Sequence, residues 1–242
     1  MLIALFKYNY KIYIKCNKFL IPLLIFCIFQ LIFYGTDSVD FTSSIIICAN
    51  VVFFMMTWIG FSYCETQDFL TEQIVFLKVN NNKLYWVSKI LFMWMVGIIV
   101  SLIATTWPLA VNLLNNGNGS LFNNGITLNN VLLGFFIYIL VTFMGVILGM
   151  TFQTKITGNR NRGVMLMFLI ALLSALKGPL IKEFPIAKAI TWLLPPVYDV
   201  ITSCMLPQKF SLSVLSIPVI YSVCYILIQI FIYIKLMKKL LF

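Results

Sequence analysis

Of 242 residues, 62% are apolar and only 10% are charged, with a net charge of +10 and a mean hydropathy of +1.01; an ordinary globular chain is about 45–50% apolar and about 25% charged. No water-soluble domain of this length could hide so much apolar surface, so the composition excludes one and points to an all-α integral membrane protein. The basic excess then reads as a signal of membrane orientation, and nucleic acid is not an expected partner.

Residues 1–18 open the chain with basic residues spread through their whole length and no small-residue cleavage site after the following apolar run, so they do not read as a cleaved leader. On a helical wheel Lys7, Lys11, Lys15 and Lys18 form one stripe, with Leu2, Leu5, Phe6, Ile12 and Tyr13 opposite. That pattern describes an amphipathic helix lying in the headgroup layer, an interfacial elbow that leads into the first span. A basic tail without that role is the plainer reading of the same residues.

Apolar runs long enough to cross a bilayer, about 20 residues each, follow in sequence. They place six spans near Phe19–Tyr34, Ser44–Tyr63, Ile90–Asn112, Val131–Phe152, Val164–Leu180 and Leu215–Ile234, all within a single transmembrane domain over 19–242. The first and fifth are short. Every centre is free of Asp, Glu, Lys and Arg. Their polar members, Gln30, Asn50, Thr57, Asn112, Thr142 and Gln229, are expected to hold helices together by hydrogen bonds. With the N-terminus inside, 13 of the 17 basic residues fall in inner segments, leaving Lys177, Lys182, Lys188 and Lys209 outside. The expectation is a bacterial cell-membrane protein with both termini cytoplasmic.

Between the spans, the stretch around Asp37 and Asp40 is short and acidic, and Asn115–Asn130 is rich in Asn and Gly. The Asn118-Gly119-Ser120 sequon is short enough to arise by chance and carries no weight. Pro108 and Pro179 are candidate kinks. Between the fifth and sixth spans, Pro185, Pro195, Pro196 and Pro207 punctuate Lys177–Pro218. Ile186–Leu194 and Val197–Met205 are too short to cross and apolar enough to lie at the interface, with Trp192 and Tyr198 suited to headgroup depth.

The inventory of reactive groups excludes much chemistry. There is no histidine, which removes Ser-His and Cys-His nucleophile pairs, bis-histidine haem and HExxH zinc hydrolysis. Cys16, Cys27, Cys48, Cys64, Cys204 and Cys224 are scattered without a CxxC pair. No GxxxxGK[ST] loop is present, so P-loop ATP hydrolysis is not expected from this chain. No acidic residue lies within a span, which disfavours ion-coupled transport. The reading is a non-catalytic subunit with no cofactor and no metal of its own.

The segment Glu65–Lys89 mixes Glu65, Asp68 and Glu72 with Phe69, Leu70, Ile74, Val75, Phe76 and Leu77. If helical, it sets Phe69, Glu72 and Phe76 along one ridge, which offers apolar and acidic groups to a partner. A surface helix without a partner has the same spacing. Asn80-Asn81-Asn82 then breaks the helix before Lys83.

Here the chain resembles the permease subunits of ABC-2-type ABC transporters. They too have a cytoplasmic elbow, six spans with both ends inside, and a coupling helix between the second and third spans opened by an acidic residue, the position of Glu65. Gln73-Ile74-Val75-Phe76-Leu77-Lys78, followed by Asn82-Lys83-Leu84-Tyr85-Trp86-Val87-Ser88-Lys89, is similar to the family's apolar stretch, polar turn and basic-aromatic run. Short re-entrant helices between spans five and six are also similar to Ile186–Leu194 and Val197–Met205. The family's Gly and Pro-Ser-Arg signature is absent, so the resemblance is one of pattern.

The resemblance implies a division of labour. Two permeases, this chain with a second copy or a paralogue, form the path in the lipid bilayer, and separate ABC ATPase subunits bind ATP and Mg beneath the coupling helices. Glu65, Phe69, Glu72, Val75, Phe76 and Leu77 would couple to the ATPase. Movement of Phe69–Leu77 would pass to spans one, two and five. A small permease without an outer domain is similar to exporters of bacteriocins and amphipathic peptides, such as those for phenol-soluble modulins. Its peptide substrate would enter sideways from the inner leaflet past Phe, Met and Tyr. The rival reading is an immunity protein that sequesters a toxic peptide without transport.

Overall fold

A computed structural model of the chain describes residues 2–35, 40–67, 69–79, 82–114, 122, 127–203 and 212–241, which are helical almost throughout and include no strand. Asp37, Asn80, Asn81, the Asn118-Gly119-Ser120 sequon, Cys204, Met205, Pro207 and Lys209 lie outside them, as does most of Asn115–Asn130. In chain order the helices are α1 (Leu2–Cys16), α2 (Leu20–Tyr34), α3 (Phe41–Cys64), α4 (Phe69–Lys78), α5 (Asn82–Leu114), α6 (Leu128–Thr151), α7 (Thr154–Thr157) and α8 (Arg160–Ala175). They continue with α9 (Lys177–Glu183), a 3-10 turn (Pro185–Ala187), α10 (Lys188–Thr191), α11 (Val197–Thr202) and α12 (Leu212–Leu241).

Four of these, within α3, α5, α6 and α12, are each long and apolar enough to cross a membrane. The count rises to six if α1–α2 and α8–α9, bent by 74° and 72°, each make one span. Both runs that are short in sequence thus adjoin a bend, the first at its start and the fifth within its length. Local chemistry accounts for both bends. Between α1 and α2, Asn17 takes the left-handed conformation (φ 50°), which Asn tolerates better than most residues. Between α8 and α9, Pro179 lacks the N–H that would bond to Ala175, and its ring crowds that carbonyl. The helix accordingly ends at Ala175, four residues before the proline. Pro108, by contrast, sits inside the continuous α5.

The helix starts are fixed by side chains that cap free backbone N–H groups. Asp40 Oδ2 accepts from Ser43 N (3.2 Å), Thr127 Oγ1 from Asn130 N (3.3 Å) and Asn159 Oδ1 from Asn161 N (3.0 Å). These caps begin α3 and α6 three residues earlier than the apolar runs alone suggest. Helix α5 also begins earlier, so Tyr85, Trp86 and Lys89 belong to its first turns rather than to a connecting segment.

Helices α3 and α6 form the centre, with α5, α8 and α12 around them. Their closeness has a steric cause. A Cβ on Gly145 would stand 2.8 Å from the Phe53 carbonyl oxygen, one on Gly60 would stand 2.6 Å from that of Val146, and one on Gly149 would collide with that of Thr57. Small residues at this seam let two backbones touch, the arrangement by which helices associate in lipid. Hydrogen bonding contributes less than the sequence suggests. Asn50 bonds to the Ile46 carbonyl, Thr57 to Phe53, Thr142 to Ile139 and Gln229 to Tyr225, each within its own helix. Gln30 is buried with neither amide atom bonded.

Candidate functional site

One end of the bundle gathers the ends of α1, α3 and α12, the whole of α4 and α7, and the starts of α5 and α8. Helix α1 lies against α5 through Leu5, Asn9 and Tyr13, one buried residue per turn. Phe6 and Ile12 are half-buried, Leu2 is exposed, and Lys7, Lys11, Lys15 and Lys18 all face outward. The lysine stripe and the apolar side thus separate as the wheel places them. Asn9, however, is buried among the apolar residues with no hydrogen-bond partner.

The segment that follows α3 ties several elements together. Glu65 caps α3, and its carboxylate accepts from Arg160 Nε at 3.0 and 3.3 Å while its carbonyl accepts from Lys18 Nζ at 2.8 Å. Cys16 Sγ reaches the Thr66 carbonyl at 3.7 Å. One residue thereby links the end of α1, the end of α3 and the start of α8.

Glu72 forms the second junction. Its side chain is 1% exposed, with one carboxylate oxygen on Lys89 of α5 and the other on Lys155 of α7. Tyr85 donates toward Glu72 Oε1 (3.2 Å) and Gln67 Oε1 (3.0 Å), and Lys155 also reaches the Gln67 carbonyl (3.4 Å). The Lys89 ammonium lies 4.8 Å from the Tyr85 ring centre and 5.3 Å from that of Trp86. Burial alone would push the Glu72 carboxyl up, but the Lys89 and Lys155 ammoniums hold it below its ordinary value. A buried acid with two cations is a fixed joint: the cluster retains one net positive charge, which the Lys155 side chain, 17% exposed, shares with solvent.

Aromatic packing surrounds this joint. Phe76 meets Tyr85 and Trp86 at 5.9 and 6.0 Å, and Trp86 meets Tyr233 of α12 edge-on at 6.0 Å. Gln153 Nε2 donates to Met237 Sδ (2.6 Å), which adds the end of α12 to the same assembly.

The ridge of Phe69, Glu72 and Phe76 is therefore turned by the structure. Glu72 and Phe76 point into the bundle, because the two lysines and the Tyr85–Trp86 pair wait there. Val75 is half-buried. Leu70, Ile74 and Leu77, at spacings of four and three, form the outward stripe, 72%, 66% and 79% exposed. Lys89, Lys155, Tyr85, Gln67 and Arg160 complete the joints; Tyr85 and Lys89 belong to the basic-aromatic run quoted above, Lys155 and Arg160 counted only as inner basic residues, and Gln67 had no sequence signal.

Among the described residues no three Cys, Asp or Glu side chains come together in a way that could hold a metal ion. No protein-family model, characterised protein or solved structure matches the chain.

Proposed function

We propose that this chain is the membrane-embedded permease subunit of an ATP-driven ABC exporter of the ABC-2 type. In this reading ATP and Mg are bound and hydrolysed by a separate ATPase subunit, a second copy or paralogue completes the path, and the cargo is an amphipathic peptide. α1 is then the elbow, α4 the coupling helix, and α9 to α11 the re-entrant segment, with both termini cytoplasmic.

The observation that carries the reading is the two-sidedness of α4. Its inner side is fixed to α5 and α7 by the Glu72 joint. Its outer side leaves Leu70, Ile74 and Leu77 exposed, uncovered by any of the described residues. A short helix rigidly joined to the long α5 and to the turn of helix at α7, with an apolar stripe left over, suits a part that is pushed by a partner and passes the push on. Glu65 and Arg160 extend the same linkage to α8. The distribution of basic residues supports the orientation, since 13 of 17 fall in the segments placed inside.

The test is affinity purification from the native membrane, with mass spectrometry and an ATPase assay on the eluate. Recovery of a P-loop ATPase in about equal amount, with vanadate-sensitive hydrolysis, supports the permease. Recovery of the chain alone supports the sequestering protein. Leu70→Asp with Leu77→Asp is expected to separate the two proteins without unfolding the chain, because both positions are exposed. Phe76→Asp is unsuitable, since it would place a charge against Tyr85 and Trp86.

A further inference from the structure

Beside the Glu65–Arg160 pair, the flank of the bundle is hollow. A cavity of about 450 Å³ lies between α3 and α8, lined by Trp58, Phe61, Ser62 and Glu65 on one side and by Arg160, Asn161, Val164, Met165, Met167 and Phe168 on the other. A second, of about 230 Å³, is lined by Pro22, Ile25 and Phe26 of α2 and by Val51, Phe54 and Met55 of α3. Both share Trp58 and Phe168, whose rings stand edge to face at 6.4 Å. The two hollows thus meet at one aromatic pair and form a trough whose polarity is graded from one end to the other.

The polar end is cationic. Glu65 is held by both Arg160 and Lys18, so these three groups carry one net positive charge. Only Nε of Arg160 is engaged by Glu65; its two terminal amino groups make no hydrogen bond among the described residues, and its side chain is 69% exposed. Arg160 is the first residue of α8, and Phe168 lies eight residues on, about 12 Å deeper at about 1.5 Å per residue. A fork of free N–H donors at the interface, above a slot that becomes wholly apolar, matches an amphiphile with an anionic oxyacid head. A free phosphate would leave the apolar part unused.

We propose that this trough binds one anionic phospholipid, its phosphate on Arg160 and one acyl chain laid past Trp58 and Phe168 toward Pro22. The site stands independently of the exporter reading, since a lipid there would hold α2 and α8 onto α3 whatever the chain transports.

The experiment is native mass spectrometry of the full chain, delipidated in detergent and titrated separately with dioleoyl phosphatidylglycerol, dioleoyl phosphatidylcholine and tailless glycerol phosphate. Phosphatidylglycerol is expected to bind roughly tenfold tighter than phosphatidylcholine, as one charge-assisted contact implies. Arg160→Gln should remove most of that preference, Arg160→Lys should restore part of it, and Arg162→Gln, exposed and outside the lining, should leave it unchanged. Met165→Trp, at a lining position 74% exposed, should obstruct the trough without touching the core and weaken phosphatidylglycerol binding. Equal losses for Arg160→Gln and Arg162→Gln would overturn the proposal by showing diffuse attraction. So would phosphatidylcholine or glycerol phosphate binding as tightly as phosphatidylglycerol, or Met165→Trp binding it unchanged.

Discussion

Two regions of the bundle are held by opposite means. The two central helices, α3 and α6, meet toward their C-terminal ends through Gly60, Gly145 and Gly149, where the absence of side chains lets backbone touch backbone and no charge takes part. At one end, α4, α5 and α7 meet through Glu72, Lys89 and Lys155, where long charged side chains span the gaps. The first contact depends on size and the second on charge balance. A seam of the first kind tolerates no added atom, whereas a joint of the second kind tolerates no lost partner.

That contrast can be broken most severely at the joint. Glu72→Gln leaves the buried Lys89 ammonium without its counter-charge, and removing a partner from a buried pair costs about 3–5 kcal/mol. Thermal unfolding in detergent should show a large drop, and Glu72→Gln combined with Lys89→Met should recover part of it. Gly149→Ala attacks the seam instead. Its Cβ would collide with the Thr57 carbonyl, and overpacking of this kind costs about 1–3 kcal/mol. The double variant Gly149→Ala with Glu72→Gln should lose the sum of the two, since no partner is shared.

A finer division comes from pH. The carboxyl of Glu72 lies below its ordinary value of 4.5 in the folded chain. The stability it adds is therefore fully present above 4.5 and disappears as pH falls through the folded value. The difference in melting temperature between the wild-type chain and Glu72→Gln should be constant from pH 7 down to about 5, then shrink in more acidic buffer. The smallest effect is expected for Asp199→Asn. Asp199 pairs with Lys177 across α9 and α11; Lys177 is 11% exposed, but the Asp199 carboxylate is 35% exposed against 1% for Glu72, so water takes up more of what the lost charge leaves. A loss as large as that for Glu72→Gln would mean that both ionic contacts act as joints.

The sequence carries the size-dependent part of this architecture more openly than the charge-dependent part. Apolar runs locate the spans because a bilayer demands length and hydropathy, and the lysines of α1 face outward as their spacing requires. The Gly145-x-x-x-Gly149 spacing stands in the sequence too, but it did not stand out there, and its role emerges only from the contact with α3. The role of Glu72 was not legible, because its two partners lie 17 and 83 residues away, and periodicity says nothing about contacts across that separation. Spacing put Phe69, Glu72 and Phe76 on one ridge without saying on which side the bundle would stand. The lysines at the bases of α5 and α7 decided that, and they turned Leu70, Ile74 and Leu77 outward.

The proline that ends α8 has an effect on the surrounding lipid. Sixteen residues at about 1.5 Å each reach about 24 Å, against a hydrocarbon layer of about 30 Å. Standing along the membrane normal from Arg160, α8 stops short of the far surface. Lys177 and Asp199 lie just beyond that stop, and charged groups draw water and headgroups down to meet them. If α8 is so placed, the far leaflet would be thinned over the bend, and bilayers of different thickness should then fit the chain unequally.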